Sequence, residues 1–123
     1  MSVEFQNVPV NGVNYRVAVE GKGPLVLMVH GFPESWYSWR HQIPVIAQAG
    51  FKAAAVDVLG YGGSDKPHEI ERYSMQNLAS DMAEIAKALS DDGQAIVLGH
   101  DWGAPIAWNS ALLHPDVFRA VGA

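Results

Sequence analysis

The sequence predicts a three-layer α/β fold, with a mostly parallel sheet covered by helices on both faces. Residues 25–29 form a continuous apolar run, which lacks the alternation of a half-wet strand and suits a strand buried on both faces, and residues 95–98 form a second apolar run. Stretches of helical periodicity alternate with such runs along the chain. Glycine-rich segments follow the apolar runs at residues 31, 60–63 and 99–103, where strand-to-helix turns belong.

Taken in order, residues 3–20 read as two short antiparallel strands around Asn11-Gly12, a pair that tolerates the positive φ of a tight hairpin. Gly21-Lys22-Gly23-Pro24 breaks that pattern before the strand at 25–29. A helix is expected over residues 37–49, closed by Gly50, and a strand over 52–58. Ser74 caps the next helix, where Leu78, Met82, Ile85 and Leu89 fall on one face. Asp91-Asp92-Gly93 ends it. A strand at 95–99 and a helix to about residue 113 follow, with Pro105 tolerated in the first turn. His114-Pro115 stops that helix, and residues 119–123 open one more strand.

Composition narrows the function. The net charge is −5 and the eight Lys and Arg are scattered singly, so no basic stripe exists to neutralise phosphates and no nucleic-acid partner is expected. The absence of cysteine removes a disulfide framework, a thiolate metal site and a cysteine nucleophile. No stretch approaches the roughly 18 apolar residues of a membrane span, and the first residues lack the pattern of a secretory signal. The expectation is a cytoplasmic protein without a membrane partner.

Gly99-His100-Asp101-Trp102-Gly103 is the most informative segment. Small residues bracket a reactive side chain at the tip of a strand-to-helix bend, the pattern of a nucleophile elbow. The tip is a carboxylate. An aspartate nucleophile forms an ester by displacing a leaving group from an sp3 carbon, which constrains the reaction. The bland reading, a turn aspartate at a helix N-terminus, is weakened by a second motif, His30-Gly31-Phe32-Pro33-Glu34, directly after the strand at 25–29. Its tight turn can aim a backbone N–H beside the elbow. The N–H groups of Phe32 and Trp102 would then form an oxyanion hole. His30, His100 and Asp57 are read as groups that hold their turns, and the apolar face of the helix after Ser74 as core.

The motifs occur together and in order. His30-Gly31-Phe32-Pro33-Glu34-Ser35-Trp36-Tyr37-Ser38-Trp39-Arg40, then Gln42-Ile43-Pro44, Gly60-Tyr61-Gly62 and the elbow, resemble the α/β-hydrolase-fold epoxide hydrolases of the soluble type. The resemblance runs from roughly residue 3 to the last residue. It implies that Asp101 attacks the epoxide carbon, that Phe32 and Trp102 supply the oxyanion N–H groups, and that Phe32, Pro33, Trp36 and Trp102 bind substrate. Trp36 stands between that role and simple core packing. The resemblance also implies a cis Phe32–Pro33 bond, a small-molecule epoxide as substrate and no metal or cofactor. Leu59 departs from the pattern, where many relatives carry Arg or Lys, and is expected to alter only the packing of its turn.

The family reaction also uses two cap-domain tyrosines and a histidine oriented by an acid, all after the strand that opens near Val121. Tyr15, Tyr37, Tyr61 and Tyr73 do not match the cap positions, and none of the five histidines matches the base. Residues 1–123 are therefore read as the N-terminal part of a single α/β-hydrolase core domain, with the cap domain absent. The chain alone is expected to be inactive, and a missing C-terminal segment or separate C-terminal fragment is its expected partner. A homo-oligomer is left open. A haloalkane or haloacid dehalogenase shares the aspartate nucleophile. Haloalkane enzymes usually hold the halide with the indole after the nucleophile, which Trp102 matches, plus an Asn near the position of Phe32, which this chain lacks, and fluoroacetate-type enzymes tend to carry Arg at the position of Trp102. A reading of another class is a non-catalytic scaffold that assembles with a partner chain.

Overall fold

The computed structural model describes residues 3–123. Its six strands are β1 (Glu4–Val10), β2 (Val13–Glu20), β3 (Leu25–Val29), β4 (Lys52–Val56), β5 (Ala95–Gly99) and β6 (Phe118–Gly122). They form one sheet in the order β1-β2-β4-β3-β5-β6. The β1–β2 and β2–β4 pairs are antiparallel, while β3–β4, β3–β5 and β5–β6 are parallel. Asn11 and Gly12 turn the first hairpin with φ of 48° and 83°, as the dipeptide predicts.

Helices cover both faces. On one side lies α1 (Gln42–Gln48), whose Ile43 packs with Val26, Met28, Ala53 and Ala55. On the other lie α2 (Met75–Leu89) and α3 (Gly103–Leu113), whose Met82, Ile85 and Ile106 join Leu27, Val29 and Val97 in the larger core. The Ser74 hydroxyl accepts the Asn77 N–H and caps α2. Among the described residues no helix is long and apolar enough to cross a membrane.

The helix expected over residues 37–49 is instead two pieces. A 3₁₀ turn at Trp36–Trp39, capped by the Ser35 side chain, precedes α1, which starts only at Gln42. Pro44 is the physical reason, since it has no N–H to offer the carbonyl four residues back and its ring crowds that carbonyl. The strand expected over 52–58 ends at Val56. There the buried Asp57 carboxylate turns to side-chain and loop partners.

Two buried aspartates pin the loops to the sheet. Asp57 accepts the Arg16 Nε–H at 2.9 Å and the backbone N–H groups of Trp36 and Gly63, each at 2.9 Å. It thus joins β2, the 3₁₀ turn and the glycine-rich loop, as its reading as a turn-fixing residue requires. Asp81, on α2, accepts the Tyr15 hydroxyl at 2.6 Å, an Arg72 N–H at 2.8 Å and the Asn11 amide at 2.8 Å. Burial, then the Asp81 charge, pushes the Tyr15 hydroxyl pKa far up, and the hydrogen bond to Asp81 holds the Arg72 guanidinium more firmly protonated. The two partners differ in what their loss costs. Tyr15→Phe removes one of three donors and should cost about 1 kcal/mol. Asp81→Ala strands a mostly buried guanidinium and should cost about 3–5 kcal/mol. Urea unfolding of the two variants checks the ranking.

Candidate active site

The sheet topology decides where a site can form. After β3 the chain leaves toward the face covered by α1, and after β5 it leaves toward the face covered by α3. Neighbouring parallel strands whose following loops part to opposite faces leave a crevice beyond their C-terminal ends. The loops at that crevice are 30–34 and 99–103, the two motifs singled out in the sequence.

At the elbow Asp101 adopts φ +59°, a left-handed conformation uncommon for a residue with a side chain. The bend has no slack. A Cβ on Gly103 would strike the Val29 carbonyl oxygen and lie 2.5 Å from that of His30. The bend is closed by the Gly103 N–H donating to the His100 carbonyl at 2.9 Å and the Ala104 N–H to the Asp101 carbonyl at 3.1 Å. The Asp101 side chain is exposed, and its Oδ2 accepts the Phe32 backbone N–H at 3.2 Å. The N–H groups of Trp102 and then Phe32 hold its carboxyl below the usual aspartate range, and the nearby His100 adds to the effect. The group stands ready as an anion, with its Oδ2 tethered to the Phe32 N–H.

Phe32 and Trp102, whose amides face the carboxylate, both border an apolar cavity of about 330 Å³. Leu59, Tyr61, Met75, Leu78 and Ile106 form its walls. The Phe32–Pro33 bond is cis, as the resemblance implies. Pro33 is not among the residues bordering this cavity, and neither is Trp36. Trp36 instead lies across the sheet with the α1-side cluster, where its ring meets Phe5 edge-on at 5.1 Å. The expected wall is thus a core and surface-packing residue in this structure, because its backbone N–H is drawn to Asp57. Leu59 does more than pack its turn: it is buried and borders the cavity.

Sequence reasoning missed most of the walls. Leu78 lies on the core face of α2, and only the sheet twist and the elbow decide that the start of that face opens into the crevice. Glu34 was also given no part. Its Oε1 accepts the Gly31 N–H at 3.0 Å, and an acid three residues after an unpaired N–H is the spacing of a capping box.

His30 has both ring nitrogens engaged. Its Nδ1–H donates to the Gly31 carbonyl at 2.7 Å, and its Nε2 accepts the Val58 N–H at 2.9 Å. Burial lowers its pKa, so it stays neutral and structural. His100 is exposed, 3.9 Å from the Glu34 carboxylate.

These features define an α/β hydrolase. A family model described as alpha/beta hydrolase fold matches residues 24–121, and the chain belongs to that family. Its relatives are more particular. The chain is 51% identical over 110 residues to bifunctional epoxide hydrolase 2 of Sus scrofa, covering 89% of this chain and 20% of that protein. It is 52% identical over 95 residues to epoxide hydrolase B of Mycobacterium tuberculosis, covering 77% of this chain and 26% of that protein. The solved structure of an epoxide hydrolase from an endophytic Streptomyces superposes with a TM-score of 0.95 at 53% identity, over 98% of this chain and 36% of that one. The resemblance to epoxide hydrolases is thereby borne out. The chain spans between 20% and 36% of the length of these relatives.

The depressed His30 pKa has a consequence for stability. The unfolded imidazole titrates near its ordinary value of about 6.5 and the folded one below it. Its contribution is therefore complete above about pH 6.5 and declines as pH falls from there through the folded value. Denaturant unfolding from pH 8 to 5 should show this decline, and the His30→Asn variant should lose part of the slope.

Proposed function

We propose that this chain carries the nucleophile half of an epoxide hydrolase, with Asp101 forming a transient ester. The observation that carries the reading is the exposed Asp101 carboxylate, tethered to the Phe32 N–H beside an apolar cavity. In the first step the free carboxylate oxygen attacks an epoxide carbon. The C–O bond of the strained ring breaks, and the alkoxide takes a proton from a donor. In the second step water attacks the ester carbonyl and gives up a proton to a base. The Phe32 and Trp102 N–H groups face the oxygen on which negative charge then grows, so they act as the oxyanion hole. Collapse of that intermediate breaks the ester C–O bond; the leaving alkoxide takes the proton from the protonated base and departs as a vicinal diol, and the aspartic acid returns its proton to the donor of the first step, restoring the carboxylate.

The second step needs a base. Among the described residues His30 is the histidine that borders the cavity, and both its nitrogens are engaged. The base therefore comes from further polypeptide in this reading, as a missing C-terminal segment or a separate fragment, and the resemblance places the proton donors there too. Residues 1–123 form the N-terminal part of one core domain, and the cap domain lies outside them. The substrate is a small epoxide with at least one apolar substituent, since Leu59, Met75, Leu78 and Ile106 offer no polar partner. Phe32 and Trp102 contact substrate as well as donating N–H groups. Their large exposed rings, 60% and 67% accessible, support this role. The dehalogenase reading is the weaker one, because the Trp102 indole at the cavity offers one halide donor but Phe32 has no side-chain donor to complete the pair.

Incubation with an aryl epoxide, followed by peptide mass mapping, should place an alkyl adduct on Asp101. An adduct elsewhere, or equal labelling of an Asp101→Ala variant, would reject the reading. In the intact protein Asp101→Asn should lower epoxide turnover by about 10⁴-fold or more, the scale expected on losing a nucleophile. Conversion of a chloroalkane in preference to the epoxide would transfer the site to dehalogenation.

A further inference from the structure

We propose that Glu34 is a positioning residue whose carboxylate clamps the turn carrying the Phe32 amide and so keeps that amide aimed at Asp101. The inference rests on the reading of Asp101 as nucleophile. It begins from a single peptide plane. The carbonyl of Gly31 and the N–H of Phe32 belong to one trans, planar unit and point to opposite sides. On the carbonyl side, oxygen accepts the His30 Nδ1–H at 2.7 Å and the Glu34 backbone N–H at 3.0 Å. On the other side, the Phe32 N–H reaches Asp101 Oδ2 at 3.2 Å.

The remaining freedom of that plane is rotation about the Gly31 Cα, and there the Glu34 side chain acts. Its Oε1 accepts the Gly31 N–H at 3.0 Å, closing a ring of two bonds between residues 31 and 34. Gly31 is buried, so without the carboxylate its N–H has no solvent to turn to and would draw the turn toward another acceptor. The contact between turn and elbow leaves little tolerance. A Cβ on Gly31 would stand 2.5 Å from the Asp101 Cβ and 2.7 Å from its Oδ2. The same Glu34 oxygen lies 3.9 Å from Nδ1 of His100, the residue before Asp101, beyond hydrogen-bond reach but within range of an ion pair. One carboxylate therefore faces both loops of the crevice.

Two variants isolate the clamp, because both remove the charge and one keeps the acceptor. Glu34→Gln retains a side-chain oxygen for the Gly31 N–H, whereas Glu34→Ala does not. In the intact protein with 13C-labelled aspartate, the Asp101 carboxyl should titrate in E34Q as it does without substitution. In E34A its midpoint should move up toward the ordinary aspartate value, as the Phe32 N–H is lost. The Asp101 ester formed with an aryl epoxide should persist about tenfold longer or more in E34A than in E34Q, since a misaimed oxyanion donor slows its hydrolysis. Equal Asp101 midpoints in the two variants would overturn the proposal. Should E34A not fold, Glu34→Asp, which shortens the side chain by one methylene and draws its oxygen off the Gly31 N–H, should move the Asp101 midpoint up in the same direction, and an unchanged midpoint would overturn the proposal equally. If no ester forms at all, the nucleophile reading falls, while the titrations still decide the clamp.

Discussion

The bend at Asp101 is held by contact between backbones. Strand β5 delivers the chain to a point where Gly103 lies against the carbonyls of Val29 and His30, so β3 and the start of α3 touch with no side chain between them. Asp101 adopts positive φ at this bend, and its exposed carboxylate meets the Phe32 N–H of the facing loop. Strain of this kind costs on the order of 1–3 kcal/mol and persists only where surrounding packing over-determines it. Here the packing is the parallel trio β4-β3-β5, in which β3 is buried throughout and residues 53–56 of β4 are buried beside it.

The rest of the site follows from where the two loops part. Because β3 feeds α1 on one face and β5 feeds α3 on the other, the Phe32 amide and the Asp101 carboxylate meet across a gap that belongs to neither layer. The loop from Asp57 to Ser64 then closes one side. Its shape is dictated by the Asp57 carboxylate, which ties it to Arg16 and Trp36, and by Ser64, whose hydroxyl donates to the Asp57 carbonyl at 2.6 Å. Buried polar groups with several partners each specify one loop conformation where apolar packing would permit several. Leu59 and Tyr61 border the cavity because that loop has no other path.

Some of this was legible in the residues and some was not. The Asn11-Gly12 hairpin, the β3 and β5 strands, and the α2 helix were readable because each is a local pattern: a turn dipeptide, an apolar run, a 3.6-residue periodicity with a cap. The split at residues 40–41 was not legible because the expected helix over 37–49 took no account of Pro44, whose missing N–H leaves the carbonyl four residues back without a helical partner. Trp36 was ambiguous for a different reason. A large apolar residue near a motif suits either a pocket or a core, and its side of the sheet depends on Asp57, which is 21 residues away in sequence.

Sequence by itself determined the chemistry at the tip of the elbow: an aspartate, flanked by glycines, after an apolar strand. It also determined the family, because several motifs had to occur in order and at their own spacing. Tertiary structure alone decided how closely the Phe32 amide meets that carboxylate, which part of the α2 face opens into the cavity, and that Glu34 accepts the Gly31 N–H in the neighbouring turn. The first two are relations between residues tens of positions apart, such as Phe32 and Asp101. They depend on strand order and on the hand of the crossovers, which no local pattern of side chains encodes.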